Sequence, residues 1–135
     1  TDPDNRRTYP WGKEDKNLIQ FYKDAIKMHK SYPVLTSGSL KFLKGEYNLI
    51  SYGRFSDTEC VIVIINNNNG NVTTEIPVWE VGVSRTNDSV LARVLDTNAV
   101  RFTTETKEYN VTGGVLNIEL SPLEAIVLYS KDEVK

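Results

Sequence analysis

The spacing of apolar residues changes character near Gly38. Before it, Leu18, Phe21, Tyr22, Ala25, Met28 and His29 recur at helical spacing, and Ile19 and Ile26 widen the stripe into a broad face. The run "EDKNLIQFYKDAIKMHKSY" therefore predicts one helix over residues 14–32, the only one in the chain. Glu14 and Asp15 are expected in its first turn, where the helix dipole favours negative charge. Tyr32 precedes Pro33, and a residue before proline avoids helical geometry, so the helix should stop there. A face this wide predicts a helix covered on more than one side.

After Gly38 the texture is strand-like. "SLKFLK", "NLISYGRF", "ECVIVIIN", "VTTEIPVW", "VLARVLD", "VRFTT", "KEYNV", "VLNIEL" and "EAIVLY" read as short strands. Leu116, Ile118 and Leu120 share a face in "VLNIEL", while Asn117 and Glu119 point away. "CVIVII" is apolar on both faces and predicts a central strand covered on both sides. Turn signals separate the runs at Asn66 to Gly70, Thr86 to Asp88, Asp96 to Asn98 and Gly113-Gly114. Pro77 marks its stretch as an edge or a bulge. The fold expected is mainly β, an antiparallel β-sandwich with Greek-key connections, preceded by one α-helix that has no helical neighbour.

Length and charge narrow the field. At 135 residues the chain is one domain by size, able to bury roughly two-thirds of its unfolded surface. A formal net charge of −2, with scattered Lys and Arg, argues against nucleic-acid and anionic-membrane partners. The one cysteine, Cys60, lies in an apolar run and reads as a buried, inert thiol. One cysteine and one histidine, His29, cannot supply a transition-metal site by themselves, and no cofactor motif stands out. No segment approaches the roughly 18 apolar residues of a membrane span.

The chemistry concentrates at the amino end, in "DPDNRR". Asp2 precedes Pro3 and should be extended, while Asp4 and Asn5 favour a turn. Across that turn Asp2 and Arg6 can converge on one small object. A carboxylate accepts and a guanidinium donates in a fixed fork, which suits the vicinal hydroxyls of a sugar. It equally suits a plain Asp–Arg surface bridge. The other carboxylates read as helix-surface, turn or outward strand positions. Trp11 reads as a loop anchor with its ring packed, and Trp79 as core or interdomain packing, with a sugar platform as the alternative. Asn71, Asn87 and Asn110 head glycosylation-type triplets and read as turns; "SPLEA" reads as the turn into the last strand.

"DPDNRR", a following tryptophan, the helix "LIQFYKDAIKMHKSYPVLTSGSL" and a β-region closing with "LNIELSPLEAIVL" together resemble the α-amylase family of glycoside hydrolases. The similarity spans essentially the whole chain and is nearest to the branch of neopullulanases, cyclomaltodextrinases and maltogenic amylases. The resemblance implies that residues 1–13 belong to an active-site loop, 14–32 to the last helix of a (β/α)₈ barrel, 38–131 to the C-terminal antiparallel β-sandwich (domain C) and 132–135 to a tail. It implies that Asp2 and Arg6 contact a glucose unit of the substrate in the intact enzyme. The family's three catalytic carboxylates lie upstream of "DPDNRR", so the chain is expected to hold no catalytic residue and to be inactive alone.

Two readings follow. In the first, the chain is the carboxy-terminal part of an enzyme that cleaves or transfers α-1,4 or α-1,6 glucosidic bonds with retention, acting on maltodextrins, cyclodextrins or pullulan. Its partners are then the barrel of the same polypeptide and the α-glucan, and it stabilises the barrel. The barrel-facing side of the helix, drawn from Leu18, Ile19, Phe21, Tyr22, Ala25 and Ile26, would be bare in this chain and favour self-association. The alternative is a free-standing carbohydrate-binding β-sandwich using exposed aromatics such as Tyr47, Tyr52 and Trp79. The resemblance also implies a cytoplasmic location, with which a single unpaired cysteine is compatible, and secretion is the alternative.

Overall fold

A computed structural model describes residues 6–130. Helix α1 runs Lys16–Ser31, and Asp15 sits just outside it as the N-cap, its Oδ1 accepting from the Leu18 N–H at 3.0 Å. The first turn itself holds no acidic residue, so the expected charge lies one step earlier. Backbone N–H groups of Glu14 and Gly12 hold the Glu14 carboxyl below its usual value. Tyr32 is extended and ends α1, as the proline after it requires. The chain then makes a second, unexpected helical turn, α2 (Val34–Ser37), because Pro33 has the φ that opens a helix.

Nine strands follow among the described residues: β1 (Ser39–Glu46), β2 (Leu49–Phe55), β3 (Cys60–Asn66), β4 (Val72–Ile76), β5 (Ser89–Thr97), β6 (Phe102–Thr103), β7 (Lys107–Val111), β8 (Leu116–Leu120) and β9 (Ala125–Ser130). The larger sheet is ordered β1-β2-β3-β9-β5-β6, with β7 also on β5, and β4 pairs β8 in a second sheet. Every pairing is antiparallel, and the β3–β9–β5 neighbours are joined by long crossovers. Asn110 lies in β7 rather than in a turn. "VTTEIPVW" is not one strand: Pro77 ends β4, and Val78–Val81 forms a 3-10 turn closed by Gly82 at φ 103°.

Alternation fills the space between the sheets. Leu116, Ile118 and Leu120 of β8 meet Cys60, Ile62 and Ile64 of β3 and Ile126 and Leu128 of β9 in the main core. Each fully buried aliphatic chain of this kind contributes roughly 1.5–3 kcal/mol. β3 is covered on both sides, because Val61 faces the other way into a second cluster with Val34, Leu95 and Val127. Helix α1 lies on that cluster through Phe21 and Met28, and Phe21 meets the Phe102 ring edge-on at 5.3 Å.

The asparagine run is structural. Asn66 is buried and donates to the Ser121 carbonyl at 2.8 Å and the Gly70 carbonyl at 3.1 Å. Asn68 donates to the Tyr47 carbonyl at 2.7 Å. That bond supports the β1–β2 hairpin turn, where Tyr47 and Asn48 both have positive φ, the geometry of a tight two-residue hairpin.

Candidate functional site

Asp2 lies outside the described residues. Arg6 is exposed at the start of them, so the predicted Asp2–Arg6 pairing has one member in view. Trp11 does not pack as a loop anchor: it is 83% exposed and meets Tyr9 edge-on, with ring centroids 4.7 Å apart. Among the described residues no group of three or more His, Cys, Asp or Glu side chains could hold a metal ion. No described helix is long and apolar enough to cross a membrane.

The most unusual surface lies on the outer side of the larger sheet. A sandwich face turned to water ordinarily carries polar residues. Here Leu40 and Phe42 of β1 and Ile50 of β2 are exposed, Phe42 at 65%. Phe42 stands opposite Tyr52 in the β1–β2 register, with the rings edge-on at 6.4 Å. These side chains, with Leu35, Ile65 and His29, line an open groove of about 510 Å³ between sheet and helix. Across the groove α1 continues the apolar surface through the exposed Leu18, Tyr22 and Ile26, spaced four residues apart. Of the helix residues expected to be bare, Ile19, Phe21 and Ala25 are half-buried instead. The helix thus uses one stripe against the sheet and leaves another open.

Arg54 fixes the groove's frame, donating to the Leu35 carbonyl at 3.0 Å and the Gly38 carbonyl at 2.7 Å. These bonds tie α2 to β2, and Glu59 adds a second tie, accepting from the Val34 N–H at 3.0 Å.

A buried charge cluster was not legible in the sequence, where Asp96 reads as a turn residue. It lies one residue before the end of β5, 6% exposed, and its Oδ2 accepts from Arg93 Nη1 at 2.9 Å. Glu124 lies beside it. Burial raises the Glu124 carboxyl above its usual range; the Ser121 N–H, donating at 2.6 Å, opposes this, and the neighbouring Asp96 adds to the rise. Burial likewise pushes the Cys60 thiol up to about 12, as an inert core thiol requires.

A family model described as "Alpha amylase, C-terminal all-beta domain" matches residues 40–131, most of the chain. The chain belongs to this family. The amylopullulanase of Thermoanaerobacterium saccharolyticum is 28% identical over 143 aligned positions, covering 97% of this chain and 10% of that protein. A Bacillus cyclomaltodextrinase is 36% identical over 70 residues, covering 49% of this chain and 12% of that protein. The solved Anoxybacillus α-amylase superposes with a TM-score of 0.73 at 18% identity, covering 99% of this chain and 26% of its own. The Nostoc punctiforme debranching enzyme gives 0.68 at 20% identity, covering 96% and 25%. The α-amylase C-terminal domain described here therefore spans about a tenth of those curated relatives and about a quarter of those solved chains.

Proposed function

We propose that this α-amylase-family β-domain, with helix α1, forms part of a larger α-glucan-active glycoside hydrolase or transglycosylase. In that reading the reaction is retaining cleavage or transfer at α-1,4 or α-1,6 glucosidic bonds of maltodextrins, cyclodextrins or pullulan. The catalytic carboxylates lie in the (β/α)₈ barrel, and this chain stabilises the barrel and supplies the Asp2–Arg6 loop as a substrate contact.

The apolar outer face of β1 and β2, continuous with the Leu18–Tyr22–Ile26 stripe, carries the proposal. Exposed aliphatic and aromatic side chains at this density are an interface without its other half. The breadth of the matches, a small share of each relative's length, supports a partner in the same polypeptide.

The full-length gene product tests this. Phe42→Asp should shorten its half-life during thermal inactivation while leaving kcat of the surviving fraction unchanged. Arg6→Ala should raise KM for maltodextrin without moving Tm. Unchanged thermal stability in Phe42→Asp, or a reading frame with no carboxylate-bearing barrel upstream of Thr1, overturns the proposal.

A further inference from the structure

The loop after β3, Asn66 to Gly70, holds its asparagines in different states. Asn66 is buried with its amide fully engaged. Its Nδ2 donates to the Gly70 and Ser121 carbonyls, and its Oδ1 accepts from the Asn68 N–H at 3.0 Å and from Asn68 Nδ2 at 2.8 Å. Asn68 is half-buried, and its Nδ2 also reaches the Tyr47 carbonyl at 2.7 Å. The main chain is tied as well: the Asn67 N–H donates to the Asn48 carbonyl at 2.8 Å, and the Leu123 N–H donates to the Asn68 carbonyl at 3.0 Å. These ties stop at Asn68. Asn69 and Gly70 are exposed, and among the described residues neither the Asn69 carboxamide nor the Gly70 N–H has a hydrogen-bond partner.

A free asparagine side chain followed by glycine is a reactive pair, because the next backbone nitrogen can close a five-membered ring on the carboxamide carbon. At most asparagines the following side chain crowds that approach; glycine has none, and its backbone turns freely. A Cβ built at Gly70 would meet nothing within 4 Å, so the surroundings leave room for that turn. We infer that Asn69 is a site of spontaneous deamidation. The Gly70 nitrogen gives up its proton to hydroxide and bonds to Asn69 Cγ. The Cγ–Nδ2 bond breaks, the nitrogen leaves as ammonia, and a succinimide remains. Water then opens the ring at either carbonyl: breaking the original peptide bond leaves isoaspartate, and breaking the new bond leaves aspartate. The net change is one water in and one ammonia out, with no oxidant or reductant.

The same reaction is blocked at the neighbours. At Asn67 the attacking nitrogen would be that of Asn68, whose N–H is held by Asn66 Oδ1. At Asn68 the carboxamide is pinned by the Tyr47 carbonyl and Asn66. At Asn66 both ends of the amide are engaged inside the fold. Each of these must first break a hydrogen bond, so Asn69 reacts about tenfold faster than any of them. The product is felt in the interior. Isoaspartate lengthens the main chain by one methylene next to Gly70, whose carbonyl is one of the two that Asn66 Nδ2 holds. The other belongs to Ser121, ahead of β9, so the lengthened loop strains the tie between the two segments.

Prolonged incubation of the folded chain at mildly alkaline pH, followed by peptide mapping with mass spectrometry, tests this. The peptide that spans Asn66 to Gly70 should gain the mass of an amide-to-acid exchange at Asn69. It should split into two products of equal mass, of which an isoaspartyl methyltransferase labels one. The rate should rise with pH, as removal of the Gly70 proton requires. Gly70→Ala should slow the reaction several-fold and keep the melting temperature, since its Cβ points into open space. Urea should speed reaction at Asn67 and Asn68 by releasing their hydrogen bonds, and should leave Asn69 near its folded rate. The isoaspartate-bearing fraction should melt below the fresh chain, while Asn69→Asp, which adds the charge without the methylene, should melt close to it. An unreacted Asn69, modification spread evenly over the run, or a Gly70→Ala variant that reacts as fast overturns the site. Asn67 and Asn68 no faster in urea overturns their protection by hydrogen bonding, and an unmoved melting temperature in the isoaspartate fraction overturns the coupling to Asn66.

Discussion

The hydroxyl of Tyr129 donates a 3.0 Å hydrogen bond to Oε2 of Glu59, a residue seventy positions earlier in the chain. The other carboxylate oxygen of Glu59 accepts from the Val34 N–H at the start of α2. One side chain thus joins the loop before β3, the last strand and the helical segment. Among the described residues α1 has no fully buried side chain, and it rests on the sheet through the half-buried Phe21 and Met28.

Glu59→Ala should therefore cost about 2–3 kcal/mol, since it leaves a half-buried N–H and a hydroxyl without their acceptor. Tyr129→Phe removes one hydroxyl and should cost about 1 kcal/mol. Urea melts of both and of the double variant check this. The double variant should lose no more than Glu59→Ala alone, because both remove the same bond. Additive losses would show that Glu59 acts elsewhere.

Glu124 gives the domain a pH dependence of defined sign. Burial, then Asp96, raise its carboxyl in the folded state, so folding favours the protonated form. The resulting stabilisation is complete below the unfolded value and is lost as pH rises through the raised folded value. Glu124→Gln imitates the protonated group and should be more stable than the parent at neutral pH. The gap should close on acidification to about pH 4. Melting both proteins across that range reads out the difference; a gap that widens on acidification contradicts the assigned direction.

The strands were legible because their alternation is strict. "KEYNV" is β7 to the residue, and "VLNIEL" buries Leu116, Ile118 and Leu120 as its period requires. "CVIVII" announced its two-sided cover for the same reason. What stayed hidden depends on contacts between distant segments. Nothing local distinguishes Asp96 from a turn aspartate until Glu124 is brought beside it. Asn66 read as loop because its partners, above all the Ser121 carbonyl, lie far along the chain. The Trp79 turn reads as strand because its β-branched neighbours outweigh Pro77, although Gly82 carries the signal for a left-handed stop. The helix face was half legible: the period gave the apolar stripe but not which part of it the sheet takes.

The seat of Trp79 can be probed through two adjacent glycines. Gly113 and Gly114 both have positive φ, 63° and 74°. An alanine at either costs roughly 1–2 kcal/mol for the left-handed backbone. At Gly113 a Cβ meets nothing within 4 Å, so Gly113→Ala should cost only that. At Gly114 it collides with Trp79 and crowds Arg85, and Gly114→Ala should lose about 1–3 kcal/mol more. Tryptophan emission should change in Gly114→Ala alone, as the indole leaves its place. Equal destabilisation by the two variants would mean that the turn does not hold Trp79.

The outer face predicts how the chain behaves by itself. Leu40, Phe42, Ile50, Leu18, Tyr22 and Ile26 present apolar surface on one side, and nothing described in the chain covers it. Water is expelled if two such faces meet, so sedimentation equilibrium should show apparent mass rising with concentration over about 10–300 μM. Because the driving force is apolar, added sodium chloride should not dissociate the assembly. Tyr22→Glu with Phe42→Glu should restore a monomer, since burying two carboxylates in that contact costs more than the apolar area returns. Both positions are exposed, so the melting temperature of the double variant should stay close to that of the parent at low concentration. A chain that sediments as a monomer at every concentration would mean that the face is tolerated in water, and the case for a barrel resting on it would weaken with it.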